Sequence, residues 1–327
     1  MKKIEVALIY RPCKTLTKDK YFTITNNFFM VALKRNEKIS VTYYPTNEVF
    51  DINEINPNTD IILLPENANT GDYCMPNEIE NIEKIAIPVL ARIGDPWSIK
   101  KNQIKENHDK YKITAYFGYV GKSLFEKYYG KKYQYKTILW GLENSLYENI
   151  KPFRGRIKNK IINSGALAPT KFLNRMIAKY FRPGNPAEQY SLRTKCNTLP
   201  YVEYTSTLQH NYGGDRYNEL LQKYQAGIAS TSHHHTTKYF EIPASNCLTF
   251  MEVTQKNLAN SLGFTDDVNA IFINEKNYEE KFIEYIDDLG NPKWEQIANN
   301  GRKFVMNNLT NDHAVNKLVE YMKCLIH

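Results

Sequence analysis

Few residue groups in this chain have types and spacings that could do chemistry, and most of them fail on a missing member. Three adjacent histidines, His233-His234-His235, invite a metal reading. Adjacent side chains on an extended segment diverge, however, and no carboxylate or cysteine stands at ligand spacing around them, so a loop histidine that touches a ligand is the better reading. Gly118-Tyr-Val-Gly121-Lys122-Ser123 ends like a phosphate-binding loop, but the position where the first glycine belongs is Tyr116. No G-x-G-x-x-G fingerprint occurs, which argues against a dehydrogenase. No Asp-x-Asp is present to hold a divalent metal against a diphosphate, and no G-x-S-x-G elbow offers a serine nucleophile. The five cysteines, Cys13, Cys74, Cys196, Cys247 and Cys324, include no C-x-x-C pair, so neither a disulfide framework nor a zinc site is indicated and a reducing cytoplasm fits best.

The elements that must position any site read as α/β. The chain has 327 residues, 42% hydrophobic and 24% charged, which describes a globular protein and excludes collagen-like, coiled-coil and disordered chains. At about 150 residues per domain, two domains are expected. The longest apolar runs, 61–64 and 85–91, are far shorter than the ~20 residues of a membrane-spanning helix. The N-terminal run Ile4 to Tyr10 reads as a buried strand rather than a signal peptide, because Glu5 interrupts it and no small-residue cleavage site follows. Lys and Arg outnumber Asp and Glu by 43 to 35, and the net charge of +8 favours phosphates or an anionic membrane surface as partners. The densest basic stretch, Lys151 to Lys160, reads as a solvated linker. No nucleic-acid-binding signature accompanies the charge, so no nucleic acid is expected.

Strands are expected at 4–10, 39–44, 60–64, 87–93, 112–117 and 137–140, with helices at 26–34 and 123–129. The pattern then restarts with strands at 160–164, 201–204, 226–230, 248–252 and 270–273, and helices at 171–181, 216–224, 237–244, 278–289, 292–307 and 312–324. Several strands are continuously apolar, as strands covered on both faces are, and this predicts parallel doubly wound sheets. Two such domains in tandem make a cleft, and ligands in such folds bind beyond the carboxyl ends of the strands.

The segment Lys238-Tyr239-Phe240-Glu241-Ile242-Pro243-Ala244 resembles the nucleotide-sugar signature of GT-B glycosyltransferases, in which a short helix bears K-x-F-E-x-x-A. Downstream, Leu262-Gly263-Phe264, Asn269 to Ile273, Tyr278-Glu-Glu and Trp294 to Val305 with its Asn300-Gly301-Arg302 are similar to the group-1, spore-maturation-protein-like members. Upstream, Ser164 to Leu167, Tyr190 to Arg193 and Asp215 to Leu221 match as well, so the resemblance covers nearly all of 158–322. Ile93 to Trp97 and Leu139 to Glu143 resemble two turns of the group's first domain.

The resemblance implies two Rossmann-like doubly wound domains in the GT-B architecture, facing each other across a cleft. Residues 1–152 would form the acceptor-side domain and 153–310 the nucleotide-sugar-binding domain, with a helix in 311–327 returning to the first. Glu241 would accept hydrogen bonds from the ribose hydroxyls, a role that suits an ionised carboxylate. Lys238, Arg193 and the helix N-terminus near Thr236 would stabilise the diphosphate without a metal, and the Ser164-Gly165 turn would let backbone approach it. Tyr239 and His233 would complete the donor site. His233 stands where retaining members carry a second glutamate, so the stereochemical outcome is left open. Asp95 would serve as the catalytic base, although an Asp before a proline also suits a helix cap. The implied activity moves a sugar, a hexose by expectation, from a nucleoside diphosphate to the hydroxyl of a glycan, lipid-linked or protein-linked acceptor. No cofactor is implied. The expected setting is cytoplasmic, with a peripheral contact to an anionic membrane compatible with the charge. The rival reading is a non-catalytic nucleotide- or glycan-binding protein with a retained donor pocket.

Overall fold

Strands apolar on both faces need helices on both faces, and each half of the chain is built that way. The computed structural model describes residues 2–12, 23–66, 75–97, 99–182, 184–205, 212, 214–257 and 259–327, so Cys13 and Cys74 lie outside the described residues. It divides into two units, Met1–Glu143 with Asn311–His327, and Asn144–Thr310. The division thus falls at Glu143 rather than at the expected 152.

In the first unit β1 (Ile4–Tyr10) is followed by α1 (Thr23–Asn26), which runs through a π-helical stretch, Asn27–Ala32, into α2 (Leu33–Arg35). The strands β2 (Ile39–Pro45), β3 (Val49–Asp51), β4 (Ile61–Leu64), β5 (Glu78–Glu80) and β6 (Val89–Arg92) come next. Then follow α3 (Lys101–Lys110), β7 (Ala115–Gly118), α4 (Lys122–Tyr129) and β8 (Tyr135–Thr137). Six strands form one parallel sheet in the order β2-β1-β4-β6-β7-β8, while β3 and β5 pair apart from it. The alternation of β1 puts Val6 and Leu8 against Phe28 and Phe29 on one face, and Ala7 and Ile9 on the other with Ile104 and Phe125.

The second unit repeats the plan. It comprises β9 (Ile157–Ser164), α5 (Phe172–Tyr180), α6 (Pro186–Gln189), α7 (Ser191–Cys196), β10 (Val202–Thr205) and α8 (Tyr217–Leu221). After these come β11 (Tyr224–Ala229), α9 (Lys238–Ala244), β12 (Leu248–Glu252), β13 (Ile271–Ile273), α10 (Tyr278–Asp287) and α11 (Pro292–Asn308). Its parallel sheet has the order β10-β9-β11-β12-β13, so the strand order reverses between β9 and β11. Such a reversal leaves a crevice at the carboxyl ends of the two strands, where open α/β sheets bind ligands.

The last helix, α12 (Asn311–Ile326), belongs to the first unit. Ala314, Val315, Leu318, Val319 and Met322 pack into the core beside Phe28 and Phe29. Asn311 anchors its start, accepting a hydrogen bond from the Gly141 amide at 2.7 Å and donating its own amide to the Leu142 carbonyl at 2.8 Å. Arg35 bridges Glu143 at 2.7 Å and Asp312 at 2.6 Å. This anchoring explains why the expected strand at 137–140 is displaced. β8 ends at Thr137, and the buried Ile138, Trp140 and Leu142 form an apolar loop that receives the helix. No helix among the described residues is long and apolar enough to cross a membrane.

The basic stretch 151–160 is largely exposed, as expected, but it belongs to the second unit rather than linking the two. Arg156 is buried and donates to the carbonyls of Ser245 (2.8 Å) and Asn246 (3.1 Å) at the end of α9, while Arg154 pairs with Glu295 at 2.9 Å. Lys158 and Lys160 lie on β9 itself.

Candidate functional site

The crevice of the second unit gathers most of the expected donor residues. β9 ends at Ser164, and Gly165 turns the chain with φ +103°, a conformation costly for any residue with a Cβ. The turn is pinned from both sides: the Gly165 amide donates to the Thr205 carbonyl at 3.2 Å, and the Tyr204 hydroxyl donates to the Gly165 carbonyl at 2.7 Å. A Cβ on Gly165 would lie 2.9 Å from Arg193 Nη1, 3.0 Å from Lys238 Cε and 3.2 Å from Lys238 Nζ. Three chain-distant residues, from the turn after β9, from α7 and from α9, therefore meet at one bare stretch of backbone.

Arg193 is held there by the fold. It is 3% exposed, donates through Nη1 to the Ala166 carbonyl at 3.1 Å and through Nη2 to the Ser230 carbonyl, and stacks at 5.1 Å over the Tyr190 ring. Its Nε is buried and makes no hydrogen bond among the described residues. Burial pulls the guanidinium pKa down. Lys238, half-buried at the first turn of α9, places Nζ 4.9 Å from the Tyr217 ring centroid. Burial and the Arg193 charge pull the Lys238 ammonium down to about 8, against the opposing pull of Glu241. Glu241 is buried on α9; burial raises its pKa, and Lys238 and Thr237 hold it back. Ser164 Oγ lies 2.5 Å from the Tyr217 hydroxyl, so the donor-side hydroxyl of the turn is bonded to a residue of α8.

Three expectations fare differently. Tyr239 turns into the core: its hydroxyl donates to the Glu252 carbonyl at 2.9 Å and accepts from the Thr231 amide and Asn257 Nδ2, each at 3.2 Å. That network leaves it outside the group around Gly165, because the first turn of α9 points Lys238 and Tyr239 in different directions. The start of α9 is also less open than expected, since the amides of Tyr239 and Phe240 bond back to the Thr236 and Thr237 carbonyls at 3.0 and 2.8 Å. His233, on the loop after β11, pairs through Nε2 with Glu188 at 3.2 Å. Its neighbour His234 is buried, and its pKa falls to about 3 through desolvation and the charges around it, so it is neutral.

Asp95 belongs to the first unit, in the loop after β6. It caps no helix, for α3 starts only at Lys101. Its carboxylate is open to solvent and accepts a hydrogen bond from the Tyr119 hydroxyl at 2.6 Å. The protein packed around it raises its pKa, while that hydrogen bond and Arg92 act the other way. Nearby, the buried Arg92 and Glu66 pair at 2.7 Å, and a Cβ on Gly94 would meet Glu66 at 2.6 Å. Trp140 is core, with the Arg92 guanidinium 5.1 Å from its ring centroid.

Sequence reasoning passed over two groups. Tyr217 links Ser164 to Lys238, and its only signal was its place in the matched stretch 215–221. Glu252 is a buried carboxylate at the end of β12, bonded by Ser230 Oγ at 2.6 Å and Ser232 Oγ at 2.9 Å, and burial raises its pKa. An acid closing the apolar run Leu248 to Met251 was the available signal. A cavity of about 800 Å³ opens beside this carboxylate, lined also by Ser191, Ser232, Thr254 and Lys256.

No family model matches the chain, and no curated protein matches it. Solved structures do match. A glycosyltransferase from Rickettsia africae ESF-5 superposes with a TM-score of 0.55 at 12% identity, over 100% of this chain and 99% of that one. HepE of Anabaena, solved with UDP and glucose, superposes with a TM-score of 0.55 at 11% identity, over 98% and 100%. An alpha-glucosyltransferase solved with UDP-glucose and DNA containing an abasic site gives 0.54 at 10% identity, over 98% and 100%. The chain therefore has the fold of GT-B glycosyltransferases, with two Rossmann-like units of parallel strands.

Proposed function

We propose that the protein is a glycosyltransferase of the group-1, spore-maturation-protein-like kind, and that its second unit binds the nucleoside diphosphate of a sugar donor around Gly165. The convergence of Arg193 and Lys238 on a left-handed glycine at the strand-order reversal carries this reading. Two cations beside bare backbone suit a diphosphate, and the same charges stabilise it as it departs. Glu241 supplies a carboxylate for the ribose hydroxyls. Since side chains provide the positive charge, the transfer is proposed to run without a metal. The solved neighbours with bound UDP and glucose or UDP-glucose lend support to a hexosyl donor. A glycan, lipid-linked or protein-linked hydroxyl is proposed as acceptor, in a cytoplasmic setting.

Asp95 is proposed as the base that takes the acceptor's proton. Its carboxylate is open to an incoming hydroxyl, and Tyr119 fixes its orientation. The competing reading, a binding protein without turnover, keeps the donor site and drops this step. Release of nucleotide from a panel of nucleoside-diphosphate sugars separates the two. The proposal expects slow donor hydrolysis by the wild type, unchanged by EDTA. In Asp95→Asn, acceptor-dependent turnover should fall by about 10²-fold or more, within the range of general-base contributions, with donor binding retained. Donor binding without any release would favour the binding protein.

A further inference from the structure

The second unit carries an unusual exposed surface on α5, remote in kind from the polar donor group. Along 172–181, Phe172, Leu173, Met176, Ile177, Tyr180 and Phe181 recur as three adjacent pairs four residues apart, which places them on one helix face. All six are exposed, Phe172 at 79%, Leu173 at 69% and Phe181 at 82%. Ala178 is the only buried residue of the helix; Phe172 and Met176 edge the cavity beside Glu252, while Leu173, Tyr180 and Phe181 stay more than 60% exposed. A soluble monomer rarely leaves such a contiguous patch uncovered.

Charge selects the occupant. Lys171, Arg175, Lys179 and Arg182 interleave with the apolar residues, and no acidic residue occurs from 171 to 182. The carboxylates that share the cavity with Arg175 and Lys179 are already engaged: Glu275 pairs with Lys195 at 3.1 Å, Glu188 pairs with Lys256 and His233, and Glu252 accepts from Ser230 and Ser232. A helix with a broad apolar face, aromatic residues and cations without acids fits the boundary between anionic headgroups and acyl chains, where the apolar face sinks in and the long cationic side chains reach the headgroups.

We propose that α5 is a membrane-docking helix that seats the second unit on an anionic lipid surface, lying in the plane of the interface rather than crossing it. This is independent of the donor-site reading. A second copy of the chain covering the same face is the competing occupant, and the experiment separates them.

The test is co-sedimentation of the full chain with phosphatidylcholine vesicles, with and without phosphatidylglycerol, at low and high salt. The proposal expects binding that needs phosphatidylglycerol and weakens with salt. Phe172→Ser/Leu173→Ser/Phe181→Ser should abolish it, and Lys171→Gln/Arg182→Gln should weaken it about thirtyfold, from the loss of two cations at an anionic surface. Both variants should keep the wild-type melting curve and its shift with nucleotide, since the altered residues are exposed and outside the donor group. Failure to bind anionic vesicles, equal binding to phosphatidylcholine alone, or unchanged binding by the triple variant would each overturn the proposal. So would self-association in light scattering that the triple variant loses, in the absence of vesicle binding.

Discussion

Lys238 is the residue whose state decides most. Its ammonium is pulled down to about 8, far below the ordinary 10.5, because burial and Arg193 disfavour the charge. A bound diphosphate reverses that balance, so nucleotide affinity should be flat below pH 8 and fall above it, by up to about tenfold per pH unit. Folding stability measured without nucleotide carries the opposite sign from this group. A depressed folded-state pKa means the folded state binds fewer protons, so this contribution is present above the unfolded value of 10.5 and lost as pH falls through about 8. Calorimetric titrations across this range check the binding half, and Lys238→Arg should flatten the profile. The role of Lys238 was legible in sequence only through its company in K-x-F-E. Tyr217, which completes the contact with Ser164, gave no sign of its own, because a tyrosine on a short helix looks the same whether it faces core or ligand.

At the scale of elements, α9 is what puts Lys238 and Glu241 in place, and its far end is clamped. Arg156 and Arg302 donate to the carbonyls of Ala244, Ser245 and Asn246, satisfying groups that a helix end leaves open. Gly301 of α11 makes the close approach to α9 possible: a Cβ there would lie 2.6 Å from the Asn269 carbonyl oxygen and 3.3 Å from Pro243 Cβ. Gly301→Ala should therefore destabilise the protein by about 1–3 kcal/mol, the usual cost of overpacking, and denaturant unfolding measures it. Elements with strong apolar pattern were readable, and β1 and β12 fall where the sequence puts them. α3 was not, since its sequence Lys-Asn-Gln-Ile-Lys-Glu-Asn-His-Asp-Lys buries only Ile104 and Asn107 and shows no apolar stripe. The small β3 and β5 pair was missed for the same reason, having one buried residue in each strand.

At the scale of the molecule, the chain builds two sheets on one strand order, the first with an added strand at its end, and then returns its last helix to the first. That return is not decorative, because α12 fills the core face shared with Phe28 and Phe29. Truncation after Thr310 should remove six buried apolar side chains, of which the Val, Leu and Met ones are each worth about 1.5–3 kcal/mol, and melting should show the first unit unfolded. The parallel, doubly wound class was legible because a short strand with no polar face must be covered by helices on both sides. What the sequence did not reveal was the anchoring by Asn311, Arg35 and Glu143, since contacts between residues that far apart leave no local pattern.

The central claim is that the strand-order reversal of the second unit binds a nucleoside diphosphate through Gly165, Arg193, Lys238 and Glu241. Isothermal titration with UDP, GDP, dTDP and ADP, run on the wild type and on Glu241→Ala and Gly165→Ala, tests it most directly. The account predicts binding of one nucleotide by the wild type, weakened at least about tenfold in Glu241→Ala, as expected for the loss of charge-assisted hydrogen bonds, and abolished in Gly165→Ala. Absence of binding by the wild type, or equal affinity in all three proteins, would contradict it.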